Sequence, residues 1–270
     1  SESECAEAAR VIAVLAGAGV VDLSGRPLGR FLHWTTRKGV IPAGGLEGDE
    51  VLRLASDRQT HGAGRLIPLG TAVPEPLRPF HALTRARRST REYRGTAIAR
   101  EEMDALLATA CGVTGSLRWP GGEVQLRAYP SSGALYSVGV YPVVFAVGGL
   151  EPAVHRLDAE GPALELIREP IDPAEFVRAA LPMERAMLAG VSLMVCLTGV
   201  FPRHERKYGE GGYRMLVAEA GHVSQNLVLA ATALGLSARP FGGVFDHLIN
   251  EALGLDETRE QFLLSVVVGR

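Results

Sequence analysis

Residues 203–236, RHERKYGEGGYRMLVAEAGHVSQNLVLAATALGL, organise the rest of the chain. They open on a charged and aromatic knot of Arg203, His204, Glu205, Arg206, Lys207 and Tyr208, break at Gly209, Gly211 and Gly212, and turn apolar from about Tyr213. Met215, Leu216, Ala220, Val223, Leu227, Leu229, Ala230, Ala233 and Leu234 recur at the three-to-four spacing that lines one side of a helix. A buried helix is therefore expected, ended by Gly235. Glu219, His222, Gln225 and Asn226 interrupt its oily wall, and polar groups in such a place need partners, whether protein or ligand.

Downstream, residues 239–246 (RPFGGVFD) read as a glycine-bearing loop, residues 248–253 as a helix and residues 262–268 as a buried closing strand. Upstream, residues 191–197 form a central apolar strand with Cys196 as core filler, and Asp172 or Pro173 starts a helix reaching about Ala180. Residues 125–129, 140–147 and 155–157 read as further strands, the middle one rich in β-branched and aromatic side chains. Strands alternating with helices predict an α/β or α+β sheet sandwiched by helices.

Two stretches carry chemistry. In residues 80–112, Arg85, Arg87, Arg88 and Arg91 surround Ser89 and Thr90. Guanidinium forks beside a hydroxyl make the short charge-assisted bonds that a phosphate monoester requires, although a solvated basic patch would show the same pattern. A helix follows, with Met103, Leu106, Leu107 and Ala110 as its apolar stripe and Glu101 and Glu102 in the first turn, where carboxylates suit the helix dipole. Pro130, Ser131, Ser132 and Gly133 then form a tight turn whose hydroxyls and N–H groups are free to face a ligand, with a glycine that lets backbone approach a flat ring. Residues 1–78 signal less: a short helix over 3–18, ordered pieces at 31–36 and 50–54, and frequent Gly and Pro. They read as an extension wrapped on a main body of residues 79–270.

With 270 residues and 47% hydrophobic content the chain supports a sizeable core. Its 28 basic and 30 acidic residues argue against nucleic-acid binding, which is driven by phosphate neutralisation, and point to a small-molecule or peptide ligand. Cys5, Cys111 and Cys196 lie far apart, no Cys/His cluster has metal-ligand spacing, and no metal is expected. No apolar run is long enough to span a membrane and no signal peptide opens the chain, so a reducing compartment, the cytoplasm, is expected.

The ordered set RRSTREY (87–93), PSSGALYSVGVY (130–141), RKYGEGGYRMLVAEAGHVSQNLVLAATALGL (206–236) and GGVFDHLINEALGLD (242–256) resembles the FMN-dependent nitroreductase superfamily. Within it, the chain is similar to the SagB-type thiazoline/oxazoline dehydrogenases of azole-containing peptide biosynthesis. The resemblance covers residues 80–270 and implies an α+β fold, a central mixed but mainly antiparallel sheet between helices, and an intertwined homodimer. By motif it implies that Arg87, Arg88, Ser89 and Arg91 hold the FMN phosphate. Pro130, Ser131, Ser132 and Gly133 then reach the isoalloxazine from the other subunit, Gly242 and Gly243 turn backbone N–H groups toward its N5 and O4, and Gln225 and Asn226 lie near the cofactor. Lys207 and Tyr208 match an adjacent pair associated with catalysis.

Making an azole from an azoline removes a proton from the carbon next to a carbonyl and a hydride from its neighbour, so a base must face an electrophilic ring. Lys207 is expected to be buried beside Arg203 and Arg206, which would make it a base; Tyr208 could equally be the base or relay. His204 is an alternative base. His222 is expected as a hydrogen-bonded core histidine, Glu219 as an anchor for Arg214 or the phosphate cluster, and Trp34, Trp119 and Tyr136 as packing or a channel wall. Arg270 is a further candidate for phosphate. The resemblance implies a peptide or carrier-bound azoline substrate and a cyclodehydratase or synthetase partner, with oxygen as the terminal oxidant. An NAD(P)H-dependent nitro or quinone reductase and a noncatalytic scaffold subunit of an azole-forming complex are the alternatives.

Overall fold

The computed structural model describes residues 67–158 and 161–270, together with His33. Of the expectations for the N-terminal extension, the helix over 3–18, the piece at 50–54 and Trp34 lie outside the described residues; His33, within 31–36, is helical.

In chain order the elements are α1 (Arg78–Ala86), α2 (Arg100–Cys111), β1 (Val113–Trp119), β2 (Gly122–Arg127), β3 (Val138–Val144), β4 (Ala153–Leu157) and β5 (Leu164–Arg168). Then follow α3 (Pro173–Ala179), α4 (Arg185–Leu188), β6 (Leu193–Val200), α5 (Phe201–Tyr208), α6 (Gly212–Ala233), β7 (Ser237–Phe241), α7 (Asp246–Leu253) and β8 (Glu260–Gly269). Six strands form one sheet in the order β5-β4-β3-β6-β8-β7, and β1 and β2 make a separate two-stranded ribbon. Every strand pair is antiparallel; parallel pairing enters through isolated bridges, Ser89 to Ala238 and Ile98 to Val147.

The strands alternate between two cores, as a period of two demands. On β6, Leu193, Val195 and Leu197 face α2 and α6, while Met194 and Cys196 face α3, α4 and α7. A strand covered on both sides reads as an unbroken apolar run, which is why residues 191–197 show no polar alternation. The first core is closed by α6, whose Leu216, Ala220, Val223 and Leu227 have no solvent exposure. Gly235, at φ +70°, takes the left-handed conformation that ends this helix. Asp172 caps α3 by accepting the Ala174 N–H at 2.9 Å, and Pro173 supplies the preset first turn.

Two readings of the sequence are corrected. The charged and aromatic knot at residues 203–208 is itself helical: Pro202 sits in the first turn of α5, which buries Phe201 and His204 at i, i+3 spacing and exposes Arg203, Arg206 and Lys207. Residues 239–241 belong to β7, so the loop is shorter than RPFGGVFD suggests; Arg239 and Phe241 pair with Val267 and Ser265 of β8. Cross-strand hydrogen bonding overrides the turn signal of Pro240 on this edge strand. His33 docks on the main body, with Nε2 donating to the Phe262 carbonyl at 2.9 Å and its ring tilted against Phe201 and Tyr213.

Leu227→Ala is expected to lower unfolding free energy by about 3 kcal/mol, measured by urea denaturation, because the sheet behind it cannot collapse into the space. Cys111 and Cys196 are buried, and burial pushes the Cys111 thiol up to about 12 and the Cys196 thiol higher still. Neither should be labelled by a thiol reagent in the folded protein, and peptide mapping should find both labelled once it unfolds.

Candidate functional site

The site is built where β3 and β6 end side by side. Val138 pairs with Gly199, so the turn entering β3 and helix α5 leaving β6 meet at one end of the sheet. Lys207 and Tyr208 are consecutive on α5, yet both ends reach the same place: a Cβ added at Gly133 would lie 2.3 Å from Lys207 Nζ and 2.5 Å from Tyr208 Oη. Gly133 holds φ +65°, a conformation that favours glycine, so both its backbone and its missing side chain are used. The Lys207 ammonium also lies 5.4 Å from the centre of the Tyr208 ring. Thus the turn at 130–133 and the Lys-Tyr pair, 74 positions apart from Gly133 to Lys207, form one cluster. Lys207 is exposed in the single chain, contrary to the expected burial, because it lies on the outer side of α5.

Behind this cluster stands Glu219 of α6, 1% exposed. It anchors neither Arg214 nor the arginine cluster. Its Oε2 accepts the Ser131 hydroxyl at 2.5 Å and its Oε1 accepts the Val138 N–H at 3.0 Å. Burial raises its pKa, with the bonds from Ser131, Val138 and Ser137 opposing. His204 Nε2 lies 3.7 Å from Glu219 Oε2, but burial, and then the charge of Lys207, lower the histidine's pKa. Burial thus favours a neutral His204 ring, which carries no charge to pair with the Glu219 carboxylate. Both ring nitrogens of His204 are buried with no hydrogen-bond partner among the described residues. The signal for Glu219 was in the sequence: it falls on the same stripe as Leu216, Ala220 and Val223.

The other predicted residues gather along β7. Ser89 bridges Ala238 at its start, and Thr90 N–H donates to the Ala238 carbonyl at 3.4 Å. Arg87 is half-buried and Arg91 exposed, while Arg88 Nη1 donates to the carbonyls of Arg85 and Arg87 at 2.8 and 2.7 Å. Gly242 and Gly243 follow the end of β7; a Cβ at Gly242 would meet open space, whereas one at Gly243 would press on Glu184 and Phe241 at 3.0 Å. From Ala238, which bridges Ser89, to Gly242 is four residues along β7, about 14 Å at some 3.4 Å per residue. Cationic donors at one end, and at the other a glycine with no side chain to bar close approach, suit a ligand with a phosphate joined to a flat ring by a flexible chain, as in FMN. Sequence reasoning missed Arg239, which lies between them and donates to Glu184 Oε1 at 2.9 Å.

Within one chain the two groups are not joined, since β8 and β6 separate β7 from β3, a step of roughly 14 Å at 4.8 Å per strand. Gln225 is exposed on α6, and Asn226 Nδ2 is committed to the carbonyls of Ala110 and Ala128 at 3.2 and 3.1 Å. His222 is exposed rather than in the core, with Nδ1 3.3 Å from the Pro130 carbonyl. Arg270 pairs with Glu102 at 2.6 Å. Trp119 is 65% exposed on the ribbon, and Tyr136 packs edge-on against Tyr129. A cavity of about 440 Å3 between α2, the ribbon and the β4–β5 hairpin, lined by Arg100, Asp104 and Arg127, includes none of the predicted residues. Among the described residues no group of three His, Cys, Asp or Glu could hold a metal, and no helix is long and apolar enough to cross a membrane.

MJ1384 of Methanocaldococcus jannaschii, whose name places it among the nitroreductases, is 33% identical over 184 residues, 68% of this chain and 87% of that protein. The trifolitoxin-processing protein TfxB of Rhizobium leguminosarum bv. trifolii is 30% identical over 158 residues, 55% of this chain but 41% of its own length, so the chain spans less than half of TfxB. In fold, a chain of the E. coli microcin synthetase McbBCD complex, solved with truncated pro-MccB17 bound, superposes with a TM-score of 0.69 at 22% identity, covering 97% of this chain and 93% of that one. A nitroreductase from Exiguobacterium sibiricum solved in complex with FMN gives 0.50 at 17% identity over 75% of this chain and 90% of its own. The Nitroreductase family model itself matches residues 84–270, which takes in the arginine cluster, the Gly133 turn, the Lys-Tyr pair and the glycine loop; the chain belongs to the nitroreductase family.

Proposed function

We propose that the chain is an FMN-dependent dehydrogenase that oxidises a thiazoline or oxazoline held in a peptide to the corresponding azole. The observation that carries this reading is the convergence of Lys207 Nζ and Tyr208 Oη on Gly133, which sets an amine and a phenol over the turn expected to face the flavin. The likeness to TfxB and to a chain of the microcin synthetase supports a peptide substrate and a synthetase or cyclodehydratase partner. Membership of the nitroreductase family and the FMN-bound neighbour support the cofactor.

In this reading Arg87, Arg88, Ser89 and Arg91 hold the phosphate. Gly242 and Gly243 present backbone to the ring, and Pro130 to Gly133 reach it from a second copy of the chain. The exposed side of α6, with Val217, Ala218, Gly221 and Gln225, gives that copy a flat face. A homodimer would cover Lys207 and place it, with Tyr208, against the substrate. FMN held by these residues would supply the hydride acceptor, with oxygen as the terminal oxidant. Lys207 and Tyr208 take the proton from the carbon next to the substrate carbonyl, one as base and the other holding it in line. Residues 1–78 form the extension, and the protein acts in the cytoplasm.

Purified protein should absorb in the blue and return an azoline peptide lighter by two hydrogens. Lys207→Ala and Tyr208→Phe should keep the visible band and lose about 100-fold or more in turnover, the usual share of a positioned base. Full rate in both would remove the assignment, and rapid bleaching by NAD(P)H without azoline turnover would favour a nitro or quinone reductase. Gly133→Ala should fold and bind flavin yet turn over at least about tenfold more slowly, because its methyl displaces both side-chain ends and adds the strain of a left-handed alanine.

A further inference from the structure

The turn under Lys207 and Tyr208 is strained along its length. Gly133, Ala134 and Tyr136 have φ of +65°, +53° and +45°, two of them without the freedom of glycine. Such backbone persists only where its surroundings over-determine it. Glu219 supplies that constraint from both ends: one carboxylate oxygen takes the Ser131 hydroxyl, at the start of the strained stretch, and the other takes the Val138 N–H just beyond it. The Ser131 oxygen also accepts the Tyr136 N–H at 2.9 Å, so the hold on Ser131 passes to the middle of the turn. The Tyr136 carbonyl accepts Arg203 Nη1 of α5 at 3.0 Å, one turn of helix before Lys207. An unbroken line of hydrogen bonds thus runs from α6 through the turn to the helix that carries the pair.

We infer that Glu219 is a positioning residue, whose grip on Ser131 and Val138 sets where Lys207 and Tyr208 stand. Its importance for turnover rests on the reading of that pair as catalytic. A carboxylate buried only to fill space would gain nothing from two separate anchors on one strained loop, and its neighbours on the stripe are Leu216, Ala220 and Val223. Glutamine has the same shape and can accept the Val138 N–H through its oxygen while donating to Ser131 through its amide. It should therefore keep the clamp, whereas alanine removes both anchors.

The chain contains two lysines, Lys38 and Lys207, so amine labelling followed by peptide mass spectrometry reads Lys207 without ambiguity and without flavin or substrate. In Glu219→Ala, Lys207 should acylate several-fold faster than in the wild type, and kcat on an azoline peptide should fall about tenfold or more with KM little changed, the cost of a misplaced group. Glu219→Gln should restore both. Where Glu219→Ala fails to fold, Ser131→Ala carries the test, since it removes one anchor from an intact carboxylate and should shift both readouts the same way. Unchanged Lys207 labelling in folded Glu219→Ala and in Ser131→Ala would overturn the inference, as would a Glu219→Gln variant that behaves like the alanine. Failure of the wild type to oxidise azolines would instead count against the proposed reaction and leave the labelling result to decide the role of Glu219.

Discussion

Burial of one stripe of α6 against the sheet is the constraint on which the other features depend. Leu216, Ala220, Val223 and Leu227 give up all exposure to β3, β6 and β8, and the same stripe carries the carboxylate of Glu219 into the interface. A carboxylate so placed must find donors, and it takes the Ser131 hydroxyl and the Val138 N–H. Hydrophobic packing of the helix therefore fixes the turn, and the turn fixes the surface met by Lys207 and Tyr208. Asn226 on the same helix repeats the device on a smaller scale by tying the end of α2 to the residue after the ribbon.

The sheet divides the candidate site into two stations. The arginine cluster and the glycine pair share β7, an edge strand capped by the segment around Ser89, while the Gly133 turn and the Lys-Tyr pair share the β3–β6 end. Two intervening strands keep them apart in one chain. In the homodimer proposed above, a ligand that needs both stations would meet one from each chain.

Much of the architecture could be read directly from the order of residues. The 3.6-residue rhythm of α2 and α6, the Asp-Pro start of α3, and the unbroken apolar runs of β3, β6 and β8 each follow from side-chain chemistry within a few positions. Harder to see were β1, β5 and α1, which carry little burial, and α5, where charge masks a short amphipathic helix whose buried face is only Phe201 and His204. Strand β7 was hidden because Pro240 and two glycines imitate a loop, and only pairing with β8 overrides them.

What the sequence determined by itself was therefore the set of parts: a buried long helix, a cationic segment with serine, a Pro-Ser-Ser-Gly turn, a glycine loop and an adjacent Lys-Tyr pair, all properties of neighbouring residues. Which parts meet was decided only by the tertiary structure. Gly133 and Lys207 are distant in the chain and joined by antiparallel register, and Glu219 changed from a supposed arginine anchor into the clamp of a strained turn because α6 lies across the start of β3. Contacts of that kind depend on strand order and helix rotation, which no local pattern encodes.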